Sequence, residues 1–108
     1  MASGAGLNAC AGKPEPDYWI KRLTAPDPRT RSLAASALGE MRARTAVPAL
    51  IRALEDGDAH VRRAVVEALG RIGPDAKAAV SALTRALSDD DPEVRAKARH
   101  TLERIGAR

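Results

Sequence analysis

Hydrophobic residues in the middle of the chain recur at intervals of three and four positions, and polar residues fill most of the places between them. One group at this spacing consists of Val47, Leu50, Ile51 and Leu54. A second group consists of Val61, Val65, Ala68, Leu69 and Ile72. Because an α-helix brings such positions onto one face, the pattern predicts a short helix followed by a longer one, each with one apolar stripe.

This pattern occurs three times along the chain. Segments 27–31, 58–62 and 91–95 each begin with aspartate and end with arginine, and their first residues are 31 and then 33 positions apart. The two extra residues lie between Gly70 and Val80, where we expect a longer turn. The periodicity predicts three two-helix units, at residues 16–43, 44–74 and 75–106.

Residues with helix-end chemistry stand at the borders of the longer helices. The carboxylate of Asp58 can accept hydrogen bonds from free N–H groups of a first helical turn. Pro28 and Pro92 occupy the first helical position in their units, where a missing N–H costs little. Gly73 and Gly106 follow the apolar stripes and favour helix termination. The second helix of each unit is therefore expected to begin directly after an aspartate.

A single unit has an apolar stripe too narrow to fold alone, and about three stacked units is the usual minimum for a continuous core. We therefore predict an all-α fold, a right-handed α-solenoid of three two-helix repeats. The repeat domain is expected at residues 16–106, between a flexible N-terminal tail at 1–15 and a short tail at 107–108.

The middle unit follows the pattern Asp-x-x-Val-Arg-x-x-Ala-x-x-Ala-Leu-Gly-x-Ile-Gly, with Val65 in place of the first alanine. This pattern resembles HEAT repeats of the short type named after phycobilin lyases. Its matching residues are Asp58, Val61, Arg62, Ala68, Leu69, Gly70, Ile72 and Gly73. The third unit, with Glu103 in place of the first glycine, matches at Asp91, Val94, Arg95, Ala98, Leu102, Ile105 and Gly106. The first unit, with Thr30 and Met41 at apolar positions, matches at Asp27, Arg31, Ala34, Ala37, Leu38 and Gly39.

The resemblance implies that the first helices line a convex side and the second helices a concave side. It also implies a ladder in which a recurring arginine meets an aspartate at the turn of a neighbouring repeat. The ladder residues would be Arg31, Arg62 and Arg95 with Asp56 and Asp89. Ala25 occupies the matching aspartate position of the first unit, so the ladder is expected to lack a rung there. Arginine suits such pairing because its donors form a planar fork.

Composition and charge exclude several classes of protein. Hydrophobic residues make up 44% of the chain, and phenylalanine is absent. Charged residues make up 30%, and the net charge of +4 is spread among both signs, whereas a nucleic-acid module more often carries a concentrated basic stripe. Cys10 is the only cysteine, which excludes a disulfide framework or a zinc site within one chain. No apolar run approaches the roughly 18 residues needed to span a membrane.

The frequent use of alanine and arginine suggests a bacterial source, and we expect a cytoplasmic location. An alternative arises at residues 7–10, where Leu-Asn-Ala-Cys faintly resembles a lipoprotein cleavage box with Cys10 as the acylated residue. Residues 1–6 contain neither a positively charged region nor an apolar one. Membrane tethering through Cys10 therefore requires that an upstream signal was removed.

No pattern in the sequence indicates catalysis, a metal site or a cofactor. Asp56, Asp58 and Glu67 have the spacing of calcium-loop ligands, but the position that needs glycine for the sharp turn is Val61. No serine lies in a nucleophile elbow, and no glycine-rich phosphate loop is present. We therefore predict that the chain is not an enzyme and that it has no catalytic, cofactor-binding or metal-binding residues.

In solenoids, function usually resides on the concave surface. Outward positions of the second helices, at spacings of three, four and seven, define a candidate partner-binding surface, called the concave surface below. Its residues are Arg29, Leu33, Ser36, His60, Arg63, Glu67, Arg71, Lys97, His100 and Arg104. We expect both histidines to be solvated or lightly hydrogen-bonded. Only Arg62, and not Arg63, is expected to contribute to stability through the ladder.

The concave surface is mixed in charge but net positive, with an apolar spot at Leu33. These features favour a non-catalytic protein–protein interaction module that binds an acidic peptide or helix of another protein. Contact with nucleic acid is an alternative, but acidic residues share the surface and no aromatic residue is available there to stack a base. A subunit of a bilin lyase is a further alternative, implied by the family name alone, for which the chain is short.

The two ends of the repeat array differ from its interior. Arg99 occupies an inter-repeat packing position at which the other units have Ala35 and Val66, as expected for a terminal surface. Trp19 and Tyr18 lie on the first short helix, where they either shield the open end of the core or anchor a partner. We expect a monomer, or weak self-association through the repeat ends.

Overall fold

The computed structural model describes residues 14–106, which contain six α-helices and no β-strand. The helices are α1 (Pro16–Arg22), α2 (Pro28–Glu40), α3 (Val47–Ala53), α4 (Ala59–Ile72), α5 (Val80–Ala86) and α6 (Pro92–Ile105). Two 3₁₀-helices, Arg44–Ala46 and Gly73–Ala79, lead into α3 and α5. Most of both proposed tails, and Cys10 with its lipoprotein alternative, lie outside the described residues.

The three longer helices begin at the predicted aspartates. Asp58 accepts hydrogen bonds from the N–H groups of His60 and Val61, at 2.8 and 3.3 Å. Asp27 and Asp91 cap α2 and α6 in the same way. Each cap satisfies donors of the first turn that have no partner within the helix.

A residue with positive φ follows each of the longer helices. Gly73 and Gly106 leave α4 and α6 with φ values of 75° and 94°, a region that glycine enters at little cost. After α2, the residue with positive φ is Arg42, at 49°. An arginine in the left-handed region is strained by about 1–2 kcal/mol. The chain is therefore strained after α2, whereas glycine avoids such strain after α4 and α6.

The helices stack as three consecutive pairs. Each short helix packs against the longer helix that follows it, and the longer helices lie side by side, α2 against α4 and α4 against α6. The array measures 52 × 30 × 18 Å. One continuous core runs through it, and its largest fully buried side chains are Leu38, Leu50, Leu69, Leu83, Val61, Val65, Val66 and Val94. The predicted all-α solenoid is confirmed.

Two glycines allow the longer helices to approach each other closely. A Cβ at Gly39 would lie 2.8 Å from the Cα of Ala68, and a Cβ at Gly70 would lie 2.9 Å from the Thr101 hydroxyl. Both distances are too short for real atoms, so these positions of α2 and α4 exclude any side chain unless the neighbour moves. At the equivalent position of α6, Glu103 is exposed.

Gly39→Leu should lower the free energy of unfolding by about 3 kcal/mol, because the new side chain forces α2 away from α4. The matched control is Glu103→Leu, which places the same side chain on the outer side of α6 and should change stability by less than about 0.5 kcal/mol. Urea unfolding followed by circular dichroism measures both. Equal losses in the two variants would contradict the close approach at Gly39.

Candidate functional site

The turns between paired helices are joined across repeats by arginine–aspartate pairs. Arg31 on α2 donates from Nε and Nη2 to the two carboxylate oxygens of Asp56, at 2.7 and 3.1 Å. Its Nη1 donates to the carbonyl oxygens of Ala25 and Pro26, at 2.8 and 3.0 Å. The guanidinium therefore binds its own turn through backbone and the next turn through a carboxylate. The carbonyl oxygen of Ala25 has the same role as that of Asp56 has for Arg62, so position 25 lacks only the carboxylate.

Arg62 on α4 repeats this arrangement one unit further along. Its Nε and Nη2 donate to Asp89 at 2.9 and 3.0 Å, and its Nη1 donates to the carbonyl oxygen of Asp56 at 2.8 Å. The carboxylate of Asp89 also accepts from the N–H of Asp91 at 2.9 Å. Each of these contacts orders a turn, and the bidentate pair fixes the distance between two turns.

Arg95 stands at the same position on α6, but it binds only backbone. Its Nη1 donates to the carbonyl oxygens of Asp89 and Asp90, at 2.7 and 3.2 Å. Within residues 14–106, no carboxylate lies within salt-bridge distance of Arg95. The row of pairs therefore ends there with an arginine that has no acidic partner from the described residues.

The paired aspartates ionise more readily than usual. Burial opposes ionisation of Asp56, but the hydrogen bonds from Arg31 and from the N–H of Asp58 outweigh it, so the pKa of Asp56 lies below its ordinary value. Asp89 shows the same balance between burial and its partners Arg62 and Asp91, and its pKa is also lowered. Both carboxylates are therefore charged near neutral pH, as their role in the turns requires.

Arg63, which the sequence assigned to the partner-binding surface and not to the ladder, has a structural partner of its own. Its Nε and Nη2 donate to both carboxylate oxygens of Asp91, at 2.9 and 3.0 Å, and Glu93 lies 3.6 Å away. The side chain is only 27% exposed. Asp91 thus caps α6 and also binds α4, and the hydrogen bond from Arg63 is the main reason that the pKa of Asp91 falls to about 2. Sequence reasoning missed this pair because Ser32 and Ala96 occupy the Arg63 position in the other units.

Glu67 lies at the centre of the concave surface and neutralises two of its cations. One of its carboxylate oxygens is 3.5 Å from Arg71 on the same helix, and the other is 3.5 Å from Lys97 on α6. With Arg63 bound to Asp91, three of the cations predicted to attract a partner are thus paired with carboxylates of the chain itself. The net positive charge of this surface is weaker than its sequence indicated.

The other predicted residues of the concave surface are exposed: Arg29, Leu33, Ser36, His60, His100 and Arg104. Leu33 is 57% exposed. A ring nitrogen of His60 lies 3.3 Å from Arg63, and the Nδ1 of His100 lies 4.0 Å from a carboxylate oxygen of Glu103. A groove of about 330 Å³ between α4 and α6 is lined by Glu67, Ala96, Lys97, His100, Thr101 and Arg104.

A second groove lies at the N-terminal end of the helix stack and is mostly apolar. It has a volume of about 440 Å³ and is lined by Pro14, Trp19, Leu33, Ser36, Ala37, Glu40 and Met41. Trp19 packs partly against the core, and its ring meets that of exposed Tyr18 edge to face, with centroids 4.8 Å apart. Trp19 therefore covers part of the core and also forms a wall of this groove.

The described part of the chain, residues 14–106, contains neither a cluster of metal ligands nor a helix suited to a bilayer. There, no three His, Cys, Asp or Glu side chains are close enough together to hold a metal ion. No described helix combines the length and the apolar character needed to cross a bilayer.

Stacked helix pairs, a shared core and recurring pairs between turns define a helical-repeat protein. The model of the family described as HEAT repeats matches residues 16–103, and the chain belongs to this family. The predicted membership of the HEAT-repeat family is thereby confirmed. Members of the family are generally protein-interaction scaffolds and generally non-catalytic.

Among solved structures, a similar fold is found in an engineered protein whose crystal structure was determined by the Northeast Structural Genomics Consortium. The TM-score is 0.72 at 24% sequence identity, over 86% of this chain and 46% of that one. The chain thus spans about half the length of that protein, and the similarity shows the fold alone. No curated protein matches the chain.

Arg62→Ala should lower the free energy of unfolding by about 2 kcal/mol, because it removes charge-assisted hydrogen bonds to two turns. Arg63→Ala should also lower the thermal midpoint, since it leaves Asp91 without its partner. Arg71→Ala serves as the control, because its contact with Glu67 is a surface pair within one helix. Thermal unfolding compares the three variants. If Arg63→Ala behaves like Arg71→Ala, the Arg63–Asp91 pair has no structural role.

Acid should destabilise the protein through these aspartates. A carboxyl whose pKa is lower in the folded state than in the unfolded state stabilises the fold above its unfolded pKa, and this contribution is lost as pH falls through the folded value. Stability should therefore be nearly constant down to about pH 5 and fall between about pH 4 and pH 2.

Asp91→Asn should make that fall shallower, because asparagine retains a capping oxygen but cannot gain the proton that breaks the pair with Arg63. Asp90→Asn, one residue earlier, is the control and should follow the unsubstituted protein. Urea midpoints measured at each pH give the slopes. Identical slopes for Asp91→Asn and the unsubstituted protein would exclude Asp91 as a source of the acid sensitivity.

Proposed function

We propose that residues 16–106 form a non-catalytic protein–protein interaction module whose concave surface binds a segment of another protein. The HEAT-repeat family supports the general role, and the arrangement of the second helices supports the surface. The repeats are proposed to be of the short phycobilin-lyase type, because residues 58–73 match that pattern at every specified position except Val65.

The uneven chemistry of the concave surface carries this proposal. At the α2 end, exposed Leu33 adjoins the apolar groove beside Trp19. At the α6 end, the groove between α4 and α6 is lined by Lys97, His100 and Arg104, and Arg104 has no carboxylate within salt-bridge distance among the described residues. A partner segment with an apolar side chain at one end and carboxylates at the other complements both regions.

Contact with nucleic acid is less well supported by the same surface. Three of its cations, Arg63, Arg71 and Lys97, already contact carboxylates of the chain, so few charges are free to replace phosphate counterions. The second helices carry no aromatic side chain on which a base could stack. The bilin-lyase alternative rests on the family name and has no supporting contact.

The double variant Lys97→Glu/Arg104→Glu should lose the partner, because it reverses the basic end of the concave surface while leaving the core and the paired arginines unchanged. The matched control is Arg52→Glu/Lys77→Glu, which makes the same charge change at exposed positions outside the second helices. Proteins captured from the source cells by the three chains are compared by quantitative mass spectrometry at low and high salt, with nuclease added.

We expect that the unsubstituted chain and the control variant capture the same protein. The Lys97→Glu/Arg104→Glu variant should not capture it. Capture that is equal for all three chains would contradict the concave surface as the binding site. Capture that nuclease abolishes would favour nucleic acid instead.

A further inference from the structure

The apolar groove at the N-terminal end of the helix stack is formed by a face of α2. The corresponding face of α4 is covered by α2. Between α2 and α4, a small groove is lined by Ser36 and Glu40 on one side and by Ala64, Glu67, Ala68 and Arg71 on the other. The α2 residues equivalent to that second set are Leu33, Ser36, Ala37 and Glu40. These four residues line the 440 Å³ groove, where no described second helix lies against them.

The interior of the stack shows what kind of helix such a surface accepts. Gly39 packs directly against Ala68 of the next longer helix, and Gly70 packs against Thr101. In each pair the helices are too close to leave room for a side chain at the glycine. Ala35 lies four residues before Gly39, and Val66 lies four residues before Gly70. Both are apolar, and both are fully buried. A helix seated over Ala37 in the same manner needs the same pair, a small apolar residue followed four positions later by glycine.

A second copy of this chain does not meet that requirement. Its outermost helix, α6, has exposed Arg99 and Glu103 at the two positions in question. The turns do not match either, because Arg95 has no carboxylate partner among the described residues, and the next copy would offer Ala25 where an aspartate is needed. The two ends of the described stack are thus not complementary to each other.

We propose that the face of α2 around Leu33, Ala37 and Met41 is a docking surface for an amphipathic helix of another helical-repeat protein. That helix carries alanine or valine and, four residues later, a glycine that crosses over Ala37. Its contact continues the α2–α4–α6 stack by one helix. Trp19, at the side of the groove, packs against the incoming helix and loses its remaining solvent exposure. The docking site lies at the end of the stack and does not require the basic part of the concave surface.

A modified copy of the chain can serve as a probe of known chemistry. The donor variant Ala37→Arg/Arg99→Val/Glu103→Gly gives α6 the small residue and glycine of α4, while an arginine at position 37 blocks its own N-terminal face. Mixed with the unsubstituted chain, the donor should form a 1:1 complex in sedimentation velocity. Circular dichroism of the donor alone verifies that it is folded.

Two acceptor variants identify the surface. Ala37→Arg should weaken the complex by at least about tenfold, because the new side chain overpacks the crossing by more than about 1.4 kcal/mol. The control is Ser81→Arg, which also introduces an arginine in place of a small residue, at an exposed position of α5. It should bind as the unsubstituted chain does. Lys97→Glu/Arg104→Glu should also bind, which separates this proposal from the one for the concave surface.

Three results would overturn the proposal. One is a folded donor that forms no complex with the unsubstituted chain. Another is a complex that is equally tight with the Ala37→Arg acceptor. The third is self-association of the unsubstituted chain that Ala37→Arg abolishes, because it would show that a second copy occupies this face despite Arg99 and Glu103.

Discussion

The close approach of the longer helices is the constraint on which the structure depends. At Gly39 and Gly70 the helices come so near that a side chain does not fit, and this distance allows small residues to fill the space between repeats. A core of alanine, valine and leucine is thin, so it excludes water only if the helices are close. The aspartate–arginine pairs act at the other end of each helix, where Arg31 and Arg62 hold consecutive turns at a fixed distance.

The features that sequence predicted are those that recur. An aspartate before each longer helix, an arginine four residues later and a shared apolar stripe appear in each unit, so each weak signal is supported by its equivalents. A pair that occurs once has no such support. Arg63 and Asp91 could not be matched from sequence, because serine and alanine occupy the arginine position elsewhere and Asp91 had an adequate explanation as a cap.

Backbone details were predictable only where glycine marks them. Gly73 and Gly106 indicated helix ends correctly, but Arg42 adopts a positive φ without any local signal in the sequence. The 3₁₀-helices before α3 and α5 were likewise not predicted from sequence. The net positive charge of the concave surface was overestimated from sequence. Side-chain contacts between helices decide which charges neutralise one another, and the sequence does not show these contacts.

These contacts change how the binding surfaces are understood. The cations nearest the middle of the concave surface belong to the scaffold or to local pairs, and the residues left for a partner lie toward its two ends. One end is apolar, beside Trp19, and the other is basic, beside Arg104. The described surface of the stack therefore has two chemically distinct regions, one apolar and one basic.

The close approach of the longer helices can be measured directly by a nuclear Overhauser experiment on the isotopically labelled chain. Helices stacked in register bring the α-protons of Gly39 against the methyl group of Ala68, and those of Gly70 against the methyl group of Thr101. We predict strong cross-peaks for both pairs. Absence of both, in a folded helical sample, would mean that the helices are arranged around a common axis and not stacked as repeats.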